Sequence, residues 1–175
     1  MEIATIEPFL IYWKRVRGRT VRVASCIPPE QVEWRPGEGR FSFGDLLRHL
    51  GAIERYMFAE NAFGRPSRYP GHGKELAEGS EAVMAFMTRM HSEAVKLLGQ
   101  LEPENLQARC MTPGGASIPV WKWLRAMVEH EVHHRGQIYL MLGSIDLETP
   151  PLYGLTAEEV LAASVPFEPD SQSRS

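Results

Sequence analysis

The sequence predicts an all-α fold: a four-helix bundle with long crossover connections and a short extra helix near its C-terminus. Three observations carry that expectation. Apolar residues recur at steps of three and four in four segments, residues 6–27, 42–63, 80–101 and 118–143, as one buried helix face requires. All thirteen prolines lie outside these segments or in a first turn, where a missing N–H does little harm. The 175 residues suffice for one domain with a single sizeable core. That domain is expected over residues 1–163, followed by a disordered tail over 164–175.

In the first segment Phe9, Trp13, Val16, Thr20, Val23 and Ile27 form the stripe, and Pro28-Pro29 stops it. Its basic run, Lys14-Arg15-Val16-Arg17-Gly18-Arg19, is expected mostly on the opposite, solvated face. The second segment opens at Ser42, an N-cap with Asp45 three residues on. Its stripe is Leu46, Leu50, Ile53 and Met57, ended by Gly64 and Pro66. The third opens at Ser80 and carries Val83, Phe86, Met90, Ala94, Leu97 and Leu101 before Pro103. The fourth begins near Ser117 with Pro119 in its first turn and ends at Gly143.

Such helices are about 30 Å long. Each has one stripe to bury, and packing them on one another is the economical solution. The connections 28–41, 64–79 and 102–117 are long for tight antiparallel turns, so at least one should cross the bundle. Residues 107–118 suggest a small hairpin around Pro113-Gly114-Gly115, and residues 155–163 a short helix capped by Thr156.

Composition narrows the partners. A net charge of −3 with no basic stripe argues against nucleic acid and acidic membranes. Cys26 and Cys110 stand far apart and in no C-x-x-C, which fits a reducing cytoplasm. The N-terminus has no signal-peptide pattern, and no apolar run approaches the roughly 18 residues of a membrane span. A cytoplasmic location is therefore expected.

The chemistry concentrates in the fourth segment. Its stripe runs Val120, Trp123, Met127, His130, His134, Ile138 and Met141, so His130 and His134 stand where a bundle core expects leucine. They are about 40° apart on one face, one turn above the other; His133 points toward solvent. Imidazoles in an apolar core are costly without partners. Two at i and i+4 can converge on a cation, which needs the neutral rings that a dry core favours. A third ligand should come from another helix. His49, bordering the apolar face of the second segment, is the better candidate; His91, beside Met90, is the alternative; His72 lies in a glycine-rich loop and reads as exposed. Three histidines leave coordination positions open, as catalytic sites do. Imidazole ligation suits zinc, nickel, iron or copper; manganese belongs on the same list of divalent ions.

His130-Glu131-Val132-His133-His134 also spells H-E-x-x-H, the zinc-protease pattern, with Glu131 as general base. Glu158 or Glu159 stands at a separation that suits a third ligand. Against it, no H-x-x-G-x-x-H continuation follows, and no strands are evident to align a peptide. Glu131 also has a structural reading, as partner of Arg135 one turn on, worth about 0.3 kcal/mol.

Residues 130–142, HEVHHRGQIYLML, resemble the fourth-helix signature of the DinB (DinB/YfiT-like) superfamily, H-x-x-x-H-R-G-Q. Residues 32–58, VEWRPGEGRFSFGDLLRHLGAIERYMF, resemble that family's W-R-P turn and histidine-bearing helix. The resemblance spans about residues 5–145 and implies His49, His130 and His134 as ligands of a divalent metal, zinc or nickel foremost. It implies a bacterial four-helix bundle with a long crossover, often a homodimer. Family members with assigned roles resemble metal-dependent transferases or hydrolases acting with low-molecular-weight thiols such as bacillithiol or mycothiol. A small-molecule substrate is thus expected, and Glu131 stands where many relatives carry a small or polar residue. Glu131 and Tyr56 are the candidate catalytic groups, with Glu60 further along the second segment as another helper. Arg135 and Gln137 read equally as packing residues or as groups that orient the histidines. The competing functional reading is a non-catalytic metal-binding stress-response protein; the protease comes last.

Overall fold

In the computed structural model, described for residues 2–165, four long helical stretches form the body. Helix α1 spans Ile6–Ala24 and α2 spans Phe43–Ile53. A single wide π-helical turn, Glu54–Phe58, joins α2 to α3, Ala59–Ala62. Helix α4 spans Ser80–Leu98, α5 Pro103–Gln107, α6 Val120–Gly143 and α7 Ala157–Ala163. Strands β1, Arg109–Met111, and β2, Ser117–Pro119, pair antiparallel as the expected hairpin, with Cys110 opposite Ile118. No helix among the described residues is long and apolar enough to cross a membrane.

Local chemistry explains the starts. The Ser42 hydroxyl accepts the Asp45 N–H at 3.0 Å, and the Asp45 carboxylate accepts the Ser42 N–H at 2.9 Å, a capping box worth about 1 kcal/mol. Thr156 and Glu159 repeat the device at α7, the short helix expected there. The fourth segment differs from expectation at its start. Ser117–Pro119 is claimed by the hairpin, so the helix begins at Val120. The tail expected to be disordered falls mostly on residues 166–175, outside the described residues.

Helix α2 packs along α4 and α1 along α6, while α2 also meets α6. Contact between α1 and α2 is slight, so the 28–42 connection carries the chain across the bundle, the crossover that its length suggests. Gly51 permits the α2–α4 contact: a Cβ there would lie 3.1 Å from the Met87 Cα.

The core is in two apolar parts. One gathers Phe9, Trp13, Phe58, Leu98, Trp123 and Met127; the other gathers Val23, Phe43, Leu46, Leu50, Met87 and Ile138. Between them every long helix except α4 contributes buried polar side chains: Arg17 and Thr20 from α1, Glu54 from the wide turn, and Glu131, His134 and Arg135 from α6. Two expectations are corrected here. Arg17 is not on a solvated face but 2% exposed, because two carboxylates await it inside. The second stripe does not run through Ile53 and Met57, which are only half-buried; Glu54, Phe58 and Ala62 take the inner positions. From Leu50 these recur at steps of four, each overshooting an α-helical turn by about 40°, and the wide turn absorbs that drift.

Candidate metal centre

His49 lies in the second turn of α2, and His130 and His134 lie one turn apart near the middle of α6. The α2–α6 contact brings the three together. The Nε2 of His130 is 3.1 Å from the Nε2 of His49 and 3.1 Å from the Nε2 of His134, and the three offered ligand atoms lie within 4.8 Å of one another. Among the described residues this is the one His, Cys, Asp or Glu group close enough to share an ion. His91, the alternative, is elsewhere: its Nδ1 sits 2.8 Å from Glu54 Oε1.

The outward nitrogens are held as well. His134 Nδ1 lies 2.7 Å from Gln137 Oε1, and Gln137 Nε2 in turn reaches His133 Nε2 at 3.2 Å. Since an amide oxygen only accepts, His134 carries its proton on Nδ1 and turns the Nε2 lone pair inward. His49 Nδ1 lies 2.7 Å from the Tyr69 hydroxyl, which is also 3.2 Å from His72 Nδ1. His49 can donate to Tyr69 and Tyr69 to His72, leaving the His49 Nε2 lone pair inward too. Three ring nitrogens then face one point with at most one proton among them.

That donor set fits a cation. Two nitrogens bound at about 2.05 Å are about 3.3 Å apart at a tetrahedral angle and about 2.9 Å at a right angle. The observed 3.1 Å falls between, so the spacing suits a metal without choosing its geometry. Burial agrees. It pushes His49 down to about 3, with the neighbouring His134, His130 and His72 adding to the effect. It pushes His130 down to about 4, helped by His134, His133 and Arg17. His134 is lowered as well, chiefly by burial. All three rings are therefore neutral near pH 7, the form that ligates.

The sequence missed Tyr69 and read His72 as exposed. His72 is half-buried, its ring 4.4 Å from Phe41. The cause is Arg48, fully buried, which donates to the His72 carbonyl at 2.7 Å and the Ala77 carbonyl at 3.0 Å. It also pairs with Glu33 at 2.8 Å and Asp45 at 2.8 Å. One guanidinium thus ties the 28–42 and 64–79 connections over the histidines. The Trp34-Arg35-Pro36 stretch helps hold this loop: Trp34 packs on Phe43 and Arg35 reaches Asp45 at 3.6 Å.

Glu131 faces away from this cluster. It does not pair with Arg135, which instead donates to the Val16 carbonyl at 3.2 Å. Its Oε2 lies 3.2 Å from Arg17, which also pairs with Glu54. Glu54 further accepts from Trp13 Nε1 at 2.6 Å. Burial would raise both carboxylates. For Glu54 the attraction of Arg17, with His91 and Trp13, outweighs burial and holds it below the usual range. For Glu131 burial prevails, and its Oε1 has no partner. Tyr56 packs with Ala52, Phe86 and Met90, its ring under the Arg55 guanidinium. Glu60 is occupied by Arg55 at 2.5 Å and Arg65 at 3.4 Å. The helper roles considered for these two have no contact with the histidines behind them.

The model of the DinB superfamily matches residues 12–138 of the chain. The uncharacterized protein YjoA of Bacillus subtilis (strain 168) is 24% identical over 140 residues, covering 78% of this chain and 88% of that protein. A DinB-like protein from Bacillus cereus ATCC 10987 superposes with a TM-score of 0.69 at 18% identity, covering 85% of this chain and 97% of that one. The structure of YjoA from Bacillus subtilis gives 0.67 at 20% identity, over 83% and 97%. These likenesses establish the fold.

Proposed function

The chain belongs to the DinB superfamily, and from that premise we propose that His49, His130 and His134 hold one divalent cation for a transferase or hydrolase reaction on a small molecule. The convergence of three inward nitrogens, two of them with their outward nitrogens already engaged, carries this reading. Zinc and nickel head the candidates, because imidazole donors suit both.

Bound there, a divalent cation supplies Lewis acidity toward a thiol or a water. Three protein ligands leave room for such a group, unlike a closed structural site. The chain's own residues prepare that position. Gln137 fixes the tautomer and tilt of His134, and Tyr69 holds the tilt of His49, so little reorganisation is needed on binding. Phe41 packs beside both His49 and His72, at ring distances of 5.8 Å and 4.4 Å, and gives that side an apolar wall. The Tyr69 hydroxyl can pass a proton between His49 Nδ1 and His72 Nδ1. A thiol co-substrate, as the family resemblance implies, is the first class to try.

Peptide hydrolysis with Glu131 as base is not supported. That carboxylate is 1% exposed and turned to Arg17, out of reach of a substrate beside the histidines.

Metal analysis after loading with zinc or nickel and removing the excess tests the reading. About one ion per chain is expected in wild type, with loss in His49→Ala and His130→Ala and retention in His91→Ala. Wild-type protein that takes up no metal sinks it. Metal uptake without turnover against thiols and electrophiles would leave a metal-binding protein without catalysis.

A further inference from the structure

Beside the histidines, between the loop that precedes α2 and the second half of α6, lies a cleft of about 430 Å³. Known small-molecule sites start at about 300 Å³, so it is large enough for a ligand. It adjoins the centre through two of its walls. Phe41 packs on the His49 ring, and Gln137 bonds His134. Leu46, Met141 and Leu140 supply an apolar lining. Leu140 is 76% exposed, so its side chain is available to a ligand in the cleft.

Arg40 supplies the charge at this cleft. Among the described residues no carboxylate lies within ion-pair reach of it, although the arginines near it are engaged, Arg35 with Asp45 and Arg48 with Glu33 and Asp45. A guanidinium presents two parallel N–H donors that match an oxyanion. Its aliphatic stem can cover apolar ligand surface at the same time.

We propose that this cleft binds a small molecule with an apolar body and one anionic head group, the head on Arg40 and the body against Phe41, Leu46 and Leu140. Placed so, the far end of the molecule points toward Gln137 and the histidines. That this ligand is the substrate rests on the metal-centre reading; that the cleft binds it does not. The head group is an oxyanion, and carboxylate or phosphate would each satisfy the fork.

Octanoate, octyl phosphate and 1-octanol serve as probes, kept below micelle-forming concentrations. Backbone amide shifts of the full chain are followed, metal-free and zinc-loaded. Shifts at Arg40, Phe41, Gln137 and Leu140 with either anionic probe are expected, with octanol weaker. Arg40→Gln, at an exposed position, should weaken the anionic probes about three- to fivefold and leave octanol unchanged. Stronger binding of octanoate or of octyl phosphate identifies the head group. Shifts that lie elsewhere, or equal affinity for octanol and both anions, overturn the proposal. Failure to take up zinc would sink the metal centre, while the metal-free titration would still decide the cleft.

Discussion

The Tyr69 hydroxyl lies 2.7 Å from His49 Nδ1, so a loop residue governs which nitrogen of a core histidine faces inward. Partners of this kind hold ring orientation, and their loss commonly lowers metal affinity by about 10- to 100-fold. Tyr69→Phe should therefore keep the fold, since the ring still packs, and weaken zinc binding by about tenfold in a chelator competition. Unchanged affinity would show that the hydroxyl has no part in the centre.

The layer around Arg17 makes a graded prediction about stability. Arg17 neutralises Glu54 and lies 3.2 Å from Glu131. Removing it as Arg17→Met leaves two buried carboxylates facing each other, a loss of about 3–5 kcal/mol. Glu54→Gln should cost less, because Trp13 and His91 still meet the amide. Glu131→Gln should cost least, within about 1 kcal/mol, since one of its oxygens is already unpartnered and burial already favours its neutral form. Urea unfolding of the metal-free variants gives the order. An Arg17→Met protein as stable as Glu131→Gln would refute it.

Acid should weaken the metal-free fold earlier than its carboxylates do. His49 and His130 titrate at about 3 and about 4 when folded, against 6.5 when free. Below 6.5 the unfolded chain binds protons that the folded chain refuses. Stability from these groups is therefore full above about pH 6.5 and falls steadily toward about pH 3. Glu33, Asp45, Glu54 and Glu60, all lowered, add to the loss only below the ordinary carboxylate range. Glu131, raised, acts in the opposite direction. Between about pH 7 and pH 5 the imidazoles dominate, and a His49→Asn/His130→Asn double variant should flatten the slope there. An equal slope in wild type and double variant would assign it to other groups.

Much of this was legible because helical spacing is a strong signal. His130 and His134 on the apolar stripe, and His49 beside another, announced their own meeting, since two polar rings in a core position need a shared partner. The proline-bounded segments located all four long helices, and the Pro113-Gly114-Gly115 turn located the hairpin. Three things were hidden. Glu54 sits one residue off the stripe that regular α-helical geometry draws, and only the wide turn brings it inward. Arg17 lies in a basic run whose neighbours Lys14 and Arg15 are exposed, so its burial depends on Glu54 and Glu131, residues 37 and 114 positions away by number. Tyr69 belongs to a loop without periodicity, placed by an arginine that bonds backbone carbonyls, a contact that leaves no mark on the residues it reaches.

That arginine yields the last expectation. Arg48 is fully buried and joins two connections to α2 by bonds to Glu33, Asp45 and the carbonyls of His72 and Ala77. Methionine would fill a similar volume without any of the bonds. The two carboxylates are part-exposed, with side chains 23% and 12% accessible, so water can take over their solvation and the helices should stay folded. What Arg48→Met should lose is the loop closure. Amide exchange across residues 64–79 should quicken by about tenfold or more while α1 and α6 keep their protection. Zinc affinity should fall with it, because Tyr69 rides on that loop. If exchange in 64–79 is unaltered, the connection is held by Phe41 and Tyr69 packing instead, and Tyr69→Phe alone would then account for any loss of metal.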